Sequence, residues 1–562
     1  MTRHLITSAI PYVGPKHLGN IAGSLLPADV HARFRRQTGH EVLYVCGTDE
    51  HGTPAELAAA AAGEDVAAYC ARQHELQRRI YASWGFSFDH FGRSSSARNR
   101  ELTQHFYRRL DAAGLIEERT VPQIWSPADG RYLPDRYVLG TCPHCGFAAA
   151  RGDQCDGCGT LLDPVDLVSP RSAISGSTAL EVRGSRHLFL RQTLLRERLR
   201  DWVGSRRGWP YWVVSQARGL LTVDLRDRCI TRDLAWGVPV PRPGFEGKVF
   251  YVWFDAPIAY IASTQAWADL DPDARDWRDW WLDPDTRYTQ FLGKDNVAFH
   301  AVGFPATLLG SDEPWKTADV IKGFHWLSYQ GGKFSTSQGR GIFADQALEE
   351  LPADLWRWWL AANAPETSDV DFEIGRFAAD ANKDLADVFG NLVNRVLGFA
   401  ERAFGGAVPE GGEPGVRERR LAADAAALVA EARAAHEELE FRKAAAATRA
   451  VWAAANAYFQ DAAPWSELRT DRAAAACSTR VALGLVRLGA VLAWSFIPQL
   501  AGRVLEAFGE DGAHPPWPGD VEQLLLSGTS VPFVRPAHLV RKIDADTAAR
   551  LEGRFGGGRP AG

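Results

Sequence analysis

Leu5-Ile6-Thr7-Ser8-Ala9-Ile10-Pro11-Tyr12-Val13-Gly14-Pro15-Lys16-His17-Leu18-Gly19-Asn20 decides the fold of this chain. Its apolar run stops at Pro11, and helical periodicity takes over from about His17 to Thr38. A short apolar run closed by a turn residue predicts a buried strand, and the longer periodic segment predicts a helix. The loop between them leaves a strand and opens a helix. Amides at a helix N-terminus, with the helix dipole, attract phosphate. Gly19 lets a ligand approach the backbone, and the His17 side chain can donate to a phosphate oxygen. Taken alone, capping and packing explain such a loop equally well.

Working outward, Glu41 to Cys46 predicts a second strand, running into Gly47-Thr48-Asp49-Glu50-His51-Gly52. Residues 54–84 and 97–114 read as helices. Strand, loop, helix, strand, loop, helix is the grammar of a doubly wound parallel sheet, a Rossmann-like α/β fold. Residues 115–230 break that grammar with short strands and turns, and read as an insertion. Strand signals return at Val249–Phe254 and Tyr288–Gly293, which puts the second half of the sheet after the insertion. From about 376 onward Ala, Leu, Arg and Glu recur at helical spacing, with a Gly/Pro-rich loop from Phe404 to Pro414 between two long helices.

The chain has 562 residues, of which 46% are apolar, and a formal net charge of −6. That total does not advertise a nucleic-acid binder, yet phosphate contacts need only a local basic face. The apolar run Leu488–Leu500 is too short to span a bilayer, contains Ser495 and Pro498, and reads as a buried helix. The first residues lack the apolar stretch of a signal peptide, so a cytoplasmic protein without a membrane partner is expected. Met1 is the single methionine.

Cysteines supply the strongest local signal. Cys142-Pro143-His144-Cys145 and Cys155-Asp156-Gly157-Cys158 are two Cys-x-x-Cys turns joined by a short linker. Such turns close a tetrahedral thiolate cage around one Zn²⁺. Four thiolates leave no open position, so the site reads as structural; two disulfides are the alternative. Far downstream, Gly331-Gly332-Lys333-Phe334-Ser335-Thr336-Ser337-Gln338-Gly339-Arg340-Gly341 is a Gly-flanked loop with two cations. A mobile loop of this kind can close over a polyphosphate; a solvated surface hairpin is the plainer reading.

Together the two loops carry more than either alone. His17-Leu18-Gly19-Asn20 and Lys333-Phe334-Ser335-Thr336-Ser337 resemble the two signatures of class I aminoacyl-tRNA synthetases. The segments Cys46–Pro54, Ile230–Pro239, Tyr251–Tyr260 and Gly293–His300, with the knuckle, are similar to the methionyl family, in order over about residues 4 to 555.

The resemblance implies ATP, L-methionine and methionine tRNA as substrates, with Mg²⁺ and Zn²⁺ as metals. It places ATP against His17, Gly19, Asn20, Gly293, Asp295, Lys333 and Thr336, with His17, Asn20, Lys333 and Thr336 in the catalytic role. It places methionine among Ile10, Tyr12, Asp49, Trp253, Ala256, Pro257, Tyr260 and His300, with Phe299 nearby. Aromatic edges suit a thioether, and Asp49 matches the carboxylate that holds the substrate ammonium. Asn391, Arg395 and Trp465 match the anticodon-facing segments, where an unstacked base wants an aromatic platform and a polar edge reader.

The implied organisation is residues 1–115 and 231–320 as halves of the nucleotide-binding domain, with 116–230 as the inserted connective domain. Residues 321–375 carry the lysine loop and stem contacts, and 376–535 form the helical anticodon-binding domain. Residues 536–562 form a tail that packs back, with a disordered end. Thr336 and Gln338 stand where the signature usually has Lys and Arg, and Asn20 replaces a second His. Arg340 is the candidate replacement cation. A monomer is expected. Two other readings stay open: a paralogue that activates a methionine analogue or serves as an inhibitor-resistant spare, and a tRNA-binding regulator without adenylation.

Overall fold

Five parallel strands form the central sheet of the computed structural model, in the order Val320–Phe324, Arg287–Gly293, Arg3–Ser8, Glu41–Thr48, His90–Arg93. The structure describes all residues except 1, 154, 156, 159, 161, 224, 337, 338, 528, 529 and 557–562. Gln338 and the expected disordered end of the tail therefore lie outside the described residues. Alternate residues of the strands feed opposite faces. Leu5, Leu43 and Val45 pack into one core, and Ile6, Tyr44 and Cys46 into the other. A sheet buried on both faces explains the continuous apolar runs.

The strand order reverses between Arg3–Ser8 and Arg287–Gly293. In an open α/β sheet the crevice outside the carboxyl ends at such a point is where ligands bind. Those ends are Ser8 and Gly293, so the first loop and the Gly293–His300 segment face one crevice. The helix after the first loop begins at Leu18 with His17 as its N-cap, passes through a π turn at Ile21–Leu25 and continues over Leu26–Gln37.

Three expected elements are corrected. The helix read over 54–84 is two helices, Thr53–Ala62 and Val66–Ser83. Gly63, at φ 67°, ends the first, and the Asp65 carboxylate caps the second. The strand read over 249–254 keeps only Val249–Phe250, paired with Thr231–Arg232 outside the central sheet, and then turns into the helix Val252–Asp255. Tertiary packing overrides β-propensity there: Phe254 is buried in the core while Trp253 packs on Phe299. The single helix read over Leu488–Leu500 is the end of Arg472–Ala493 and the start of Pro498–Glu506, because Pro498 can only begin a helix. Arg472–Ala493 is itself long and apolar enough to cross a membrane, but its apolar window is 89% buried inside the protein.

Between the halves of the sheet lie two antiparallel sheets. One has four strands, with Ile116–Ser126 paired to Glu181–Leu190, and the other has three around Val138–Thr141. Beyond the sheet, Ile374–Phe404 is one helical rod with a π segment at Asn382–Gly390, ended by Gly405 at φ 77°. The helices Phe441–Ala462 and Arg472–Ala493 pack beside it, and Val416–Glu437 packs on Phe441–Ala462.

A buried arginine fastens these parts together. The Arg357 guanidinium donates to Asp29 (2.7 Å) and to the carbonyls of Trp84, Ser495 and Phe496. Arg33 and Ser87 complete the Asp29 shell, and the two arginines hold the carboxyl below its usual range despite burial. Arg357→Leu strips these partners and is expected to cost about 3–5 kcal/mol in chemical denaturation. The depressed Asp29 pKa sets the sign of the pH effect. Its stabilisation is present above the unfolded value near pH ~4 and is lost as pH falls toward the folded one.

Candidate active site and metal knuckle

The first loop and the end of the second strand are sewn together. Val13 N–H donates to the Asp49 carbonyl (2.9 Å) and Asp49 N–H to the Pro11 carbonyl (2.8 Å). This sets Tyr12 beside Asp49 at the crevice floor. Asp49 is 4% exposed, and its Oδ1 has no hydrogen-bond partner. Burial first, and then the nearby Asp255 charge, push its carboxyl well above the usual range. A buried carboxylate oxygen without a donor is a demand for a cation.

Aromatic rings adjoin Tyr12. Trp253 Nε1–H donates to the Tyr12 hydroxyl (3.0 Å), and the Trp253 and Phe299 rings lie 4.0 Å apart. Behind them, the His300 Nδ1–H donates to the Asn296 carbonyl (3.0 Å), which leaves Nε2 to accept from the Tyr260 hydroxyl (3.0 Å). Burial drops the His300 pKa to about 4, so the ring is neutral at pH 7. Ile10 packs against the core, Ala256 is half-buried and Pro257 is buried.

The two signature loops meet face to face. The His17 ring stacks on Phe334 at 4.7 Å and 15°. His17 is neutral as well, its pKa lowered to about 4 by burial and by Lys16. The His17 N–H donates to Asn20 Oδ1 (3.2 Å), and His17 Nδ1 is buried without a partner. A Cβ on Gly19 would lie 2.9 Å from that Nδ1 and 3.4 Å from Phe334, so only glycine keeps this approach open. Gly293 is similarly confined, with Asp295 Oδ1 2.7 Å from where a Cβ would be. Lys333 is exposed and its Nζ lies 5.2 Å from the centre of the Trp326 ring; Thr336 is exposed too. Arg340 spends its guanidinium on the carbonyls of Tyr329 (2.8 Å), Gln330 (3.3 Å) and Lys333 (3.1 Å), which brace the loop.

The sequence reading passed over four contributors. Lys16, whose pKa burial lowers to about 8, is the cation that acts on Asp49. Its place inside the first loop was the available signal. Phe334 is the ring that brings the loops together. His51 and Asn99 hold Asp255 (2.7 and 3.3 Å), and only the fold brings these three side chains together.

Away from the crevice, the sulfurs of Cys142, Cys145, Cys155 and Cys158 all lie within 4.8 Å of one another, and all four thiols are free. Cys142 and Cys158 are 3.9 Å apart, and Cys145 and Cys155 are 3.6 Å apart. A tetrahedral S₄ site with Zn–S of about 2.3 Å demands sulfurs roughly 3.8 Å apart. The donor set fits Zn²⁺. Elemental analysis of the purified protein is expected to give about one zinc per chain, released by acid or chelation as the thiolates protonate or lose the competition. Zinc-free protein with two disulfides contradicts the assignment.

In the helical half, Arg395 and Trp465 come together over Phe459. The Arg395 guanidinium lies 5.6 Å from the Phe459 ring and donates to Gln460 (2.8 Å), and Trp465 packs edge-on against Phe459 at 5.6 Å. Asn391 is exposed at the start of the same helical segment as Arg395. Trp465 is half-buried, with Phe399 also on its edge, so it is not a free-standing platform.

Residues 4–397 match the family model for class I tRNA synthetases (M), and residues 408–560 match the anticodon binding domain of methionyl tRNA ligase. The methionine–tRNA ligase of Caulobacter vibrioides is 56% identical over 99% of this chain and 100% of its own length. That of Streptomyces avermitilis is 54% identical with the same coverage. Among solved structures, Mycobacterium tuberculosis methionyl-tRNA synthetase in complex with methionyl-adenylate superposes with a TM-score of 0.77 at 25% identity, covering 96% of this chain and 99% of that one. The chain belongs to the methionine–tRNA ligases, a family of class I aminoacyl-tRNA synthetases.

Proposed function

We propose that this chain activates L-methionine with ATP and transfers it to the 3′ end of methionine tRNA, using the crevice at the carboxyl ends of the Arg3–Ser8 and Arg287–Gly293 strands. The unpartnered Asp49 oxygen beside an aromatic slot carries this reading. Asp49 takes the substrate ammonium. Tyr12, Trp253, Tyr260 and His300 wall the thioether, with Ile10, Ala256 and Pro257 around it. His17 and His300 are both neutral, so neither competes with the ammonium for Asp49 as a second cation would.

The methionine carboxylate then attacks the α-phosphorus and pyrophosphate leaves. His17, Gly19 and Asn20 lie along the phosphates at the helix N-terminus, Gly293 and Asp295 at the ribose, and Lys333 and Thr336 at the departing charge. Mg²⁺ enters with ATP as the counter-ion of its phosphates. In the second step a terminal tRNA hydroxyl attacks the adenylate carbonyl, the mixed-anhydride C–O bond breaks, and AMP leaves with the hydroxyl proton passing to its phosphate. Positioning and preorganised charge do this chemistry without a protein nucleophile. Zinc in the knuckle is structural, and the protein works as a cytoplasmic monomer.

Two tests separate the substrates. Trp253→Ala and His300→Ala are each expected to raise the methionine KM in pyrophosphate exchange; an unchanged KM in both removes them from the slot. Arg395 and Trp465 are assigned to anticodon reading with Asn391. Loss of a stacking surface costs about 1–3 kcal/mol per base. Trp465→Ala should therefore slow tRNA charging by about 5- to 150-fold at that range while pyrophosphate exchange holds. Equal damage to both reactions makes Trp465 a folding residue.

A further inference from the structure

A second crevice opens at the opposite, amino-terminal edge of the sheet. It is a cavity of about 450 Å³ where that edge meets the turn after Val416–Glu437. Its lining includes Arg35, Arg206, Arg207 and Arg287, together with His31. Two carboxylates, Asp319 and Glu437, also line it. Both are already engaged: Asp319 with Arg206 (3.3 Å) and Lys316 (3.0 Å), Glu437 with Arg433 (3.0 Å). No carboxylate lies within ion-pair distance of Arg35, Arg207 or Arg287 among the described residues, and Arg207 donates only to carbonyls. His31, 2% exposed, has its Nδ1 without a partner, and the Arg35 Nε is buried and unpartnered as well.

We propose that this cavity binds a phosphorylated small molecule, of nucleotide size or smaller, at a site separate from the aminoacylation crevice. Arginine forks match phosphate oxygens in pairs, and about 300–1,000 Å³ is the range of small-ligand pockets. The ligand's oxygens would meet the exposed Arg207 and Arg287 guanidinium groups, with Arg35 deeper, where its Nε and the His31 Nδ1 are buried without partners and costly to leave so. Helix-end capping is the competing role, since Arg35 lies in the last turn of Leu26–Gln37 and Arg206 follows Arg196–Ser205. It does not account for Arg287, which begins a strand. Because the lining comes from both the catalytic sheet and the helical half, occupancy is placed to couple the two.

Titration calorimetry of the full chain with inorganic tripolyphosphate tests this. A Lys333→Ala background weakens its binding to the catalytic loop. In that background one binding event is expected to remain. Adding Arg207→Ala and Arg287→Ala, both at exposed positions, should weaken it at least about tenfold, the effect of losing one charge-assisted hydrogen bond or more. With Lys333 intact, the same pair of substitutions should leave pyrophosphate exchange at the wild-type rate. Arg35→Met should weaken the remaining event independently. No remaining event in the Lys333→Ala protein, or one that neither the arginine pair nor Arg35→Met weakens, overturns the proposal.

Discussion

Asp49→Asn is expected to lower kcat/KM for methionine in pyrophosphate exchange by about 10²- to 4 × 10³-fold, the consequence of losing about 3–5 kcal/mol when one member of a buried ion pair is removed. The amide keeps the shape and the backbone bonds to Pro11 and Val13, so the crevice itself should persist. The loss should fall on methionine, with the KM for ATP little changed. Burial and Asp255 raise the Asp49 pKa against the pull of Lys16. The same raised pKa gives the native enzyme a pH signature. Asp49 accepts an ammonium as a carboxylate, so the methionine KM should rise as pH is lowered and the carboxyl takes up its proton. Asp49→Asn should flatten that rise. A variant with near-native kcat/KM contradicts the ammonium assignment.

Lys333→Ala should cut the adenylation rate by more than about tenfold, with methionine binding little changed. A charge that acts chiefly on the phosphates in flight stabilises the transition state more than the ground state, and removing it lowers kcat without moving the methionine KM. Lys333 is exposed and rests near Trp326, so its removal leaves no hole in the core. The loop around it is braced by Arg340, which donates to the carbonyls of Tyr329, Gln330 and Lys333. Arg340→Lys therefore separates two roles. If the charge matters, lysine preserves the rate; if the fork holding Tyr329, Gln330 and Lys333 matters, lysine fails as alanine does. Thr336→Lys restores the more usual cation of the loop and should not slow the reaction. Equal loss of methionine binding and rate in Lys333→Ala makes the residue a loop-folding element.

The sheet was legible because its strands are buried on both faces and carry their own signal, as Leu5-Ile6 and Leu43-Tyr44-Val45 do. The knuckle was legible because metal-ligand spacing is local. What escaped was non-local. Val252–Phe254 looks like a strand in isolation and becomes helical only because Phe254 enters the core and Trp253 meets Phe299. Gly63 read as one residue inside a helix, since its left-handed backbone is not visible in composition. Phe334 on His17, and His51 with Asn99 on Asp255, join residues distant in the chain that only the fold brings into contact. The family's motifs supplied the crevice residues; the geometry added why Asp49 is unsatisfied and why His17 and His300 are neutral.

The most direct measurement is ATP–pyrophosphate exchange by the purified full chain with each of the twenty amino acids in turn. The account predicts exchange with methionine well above all others, including leucine, because the proposed function gives the thioether to the aromatic rings of Tyr12, Trp253 and Phe299 and the ammonium to the unpartnered Asp49 oxygen. Absence of methionine-dependent exchange, or leucine activated as well as methionine, would contradict it.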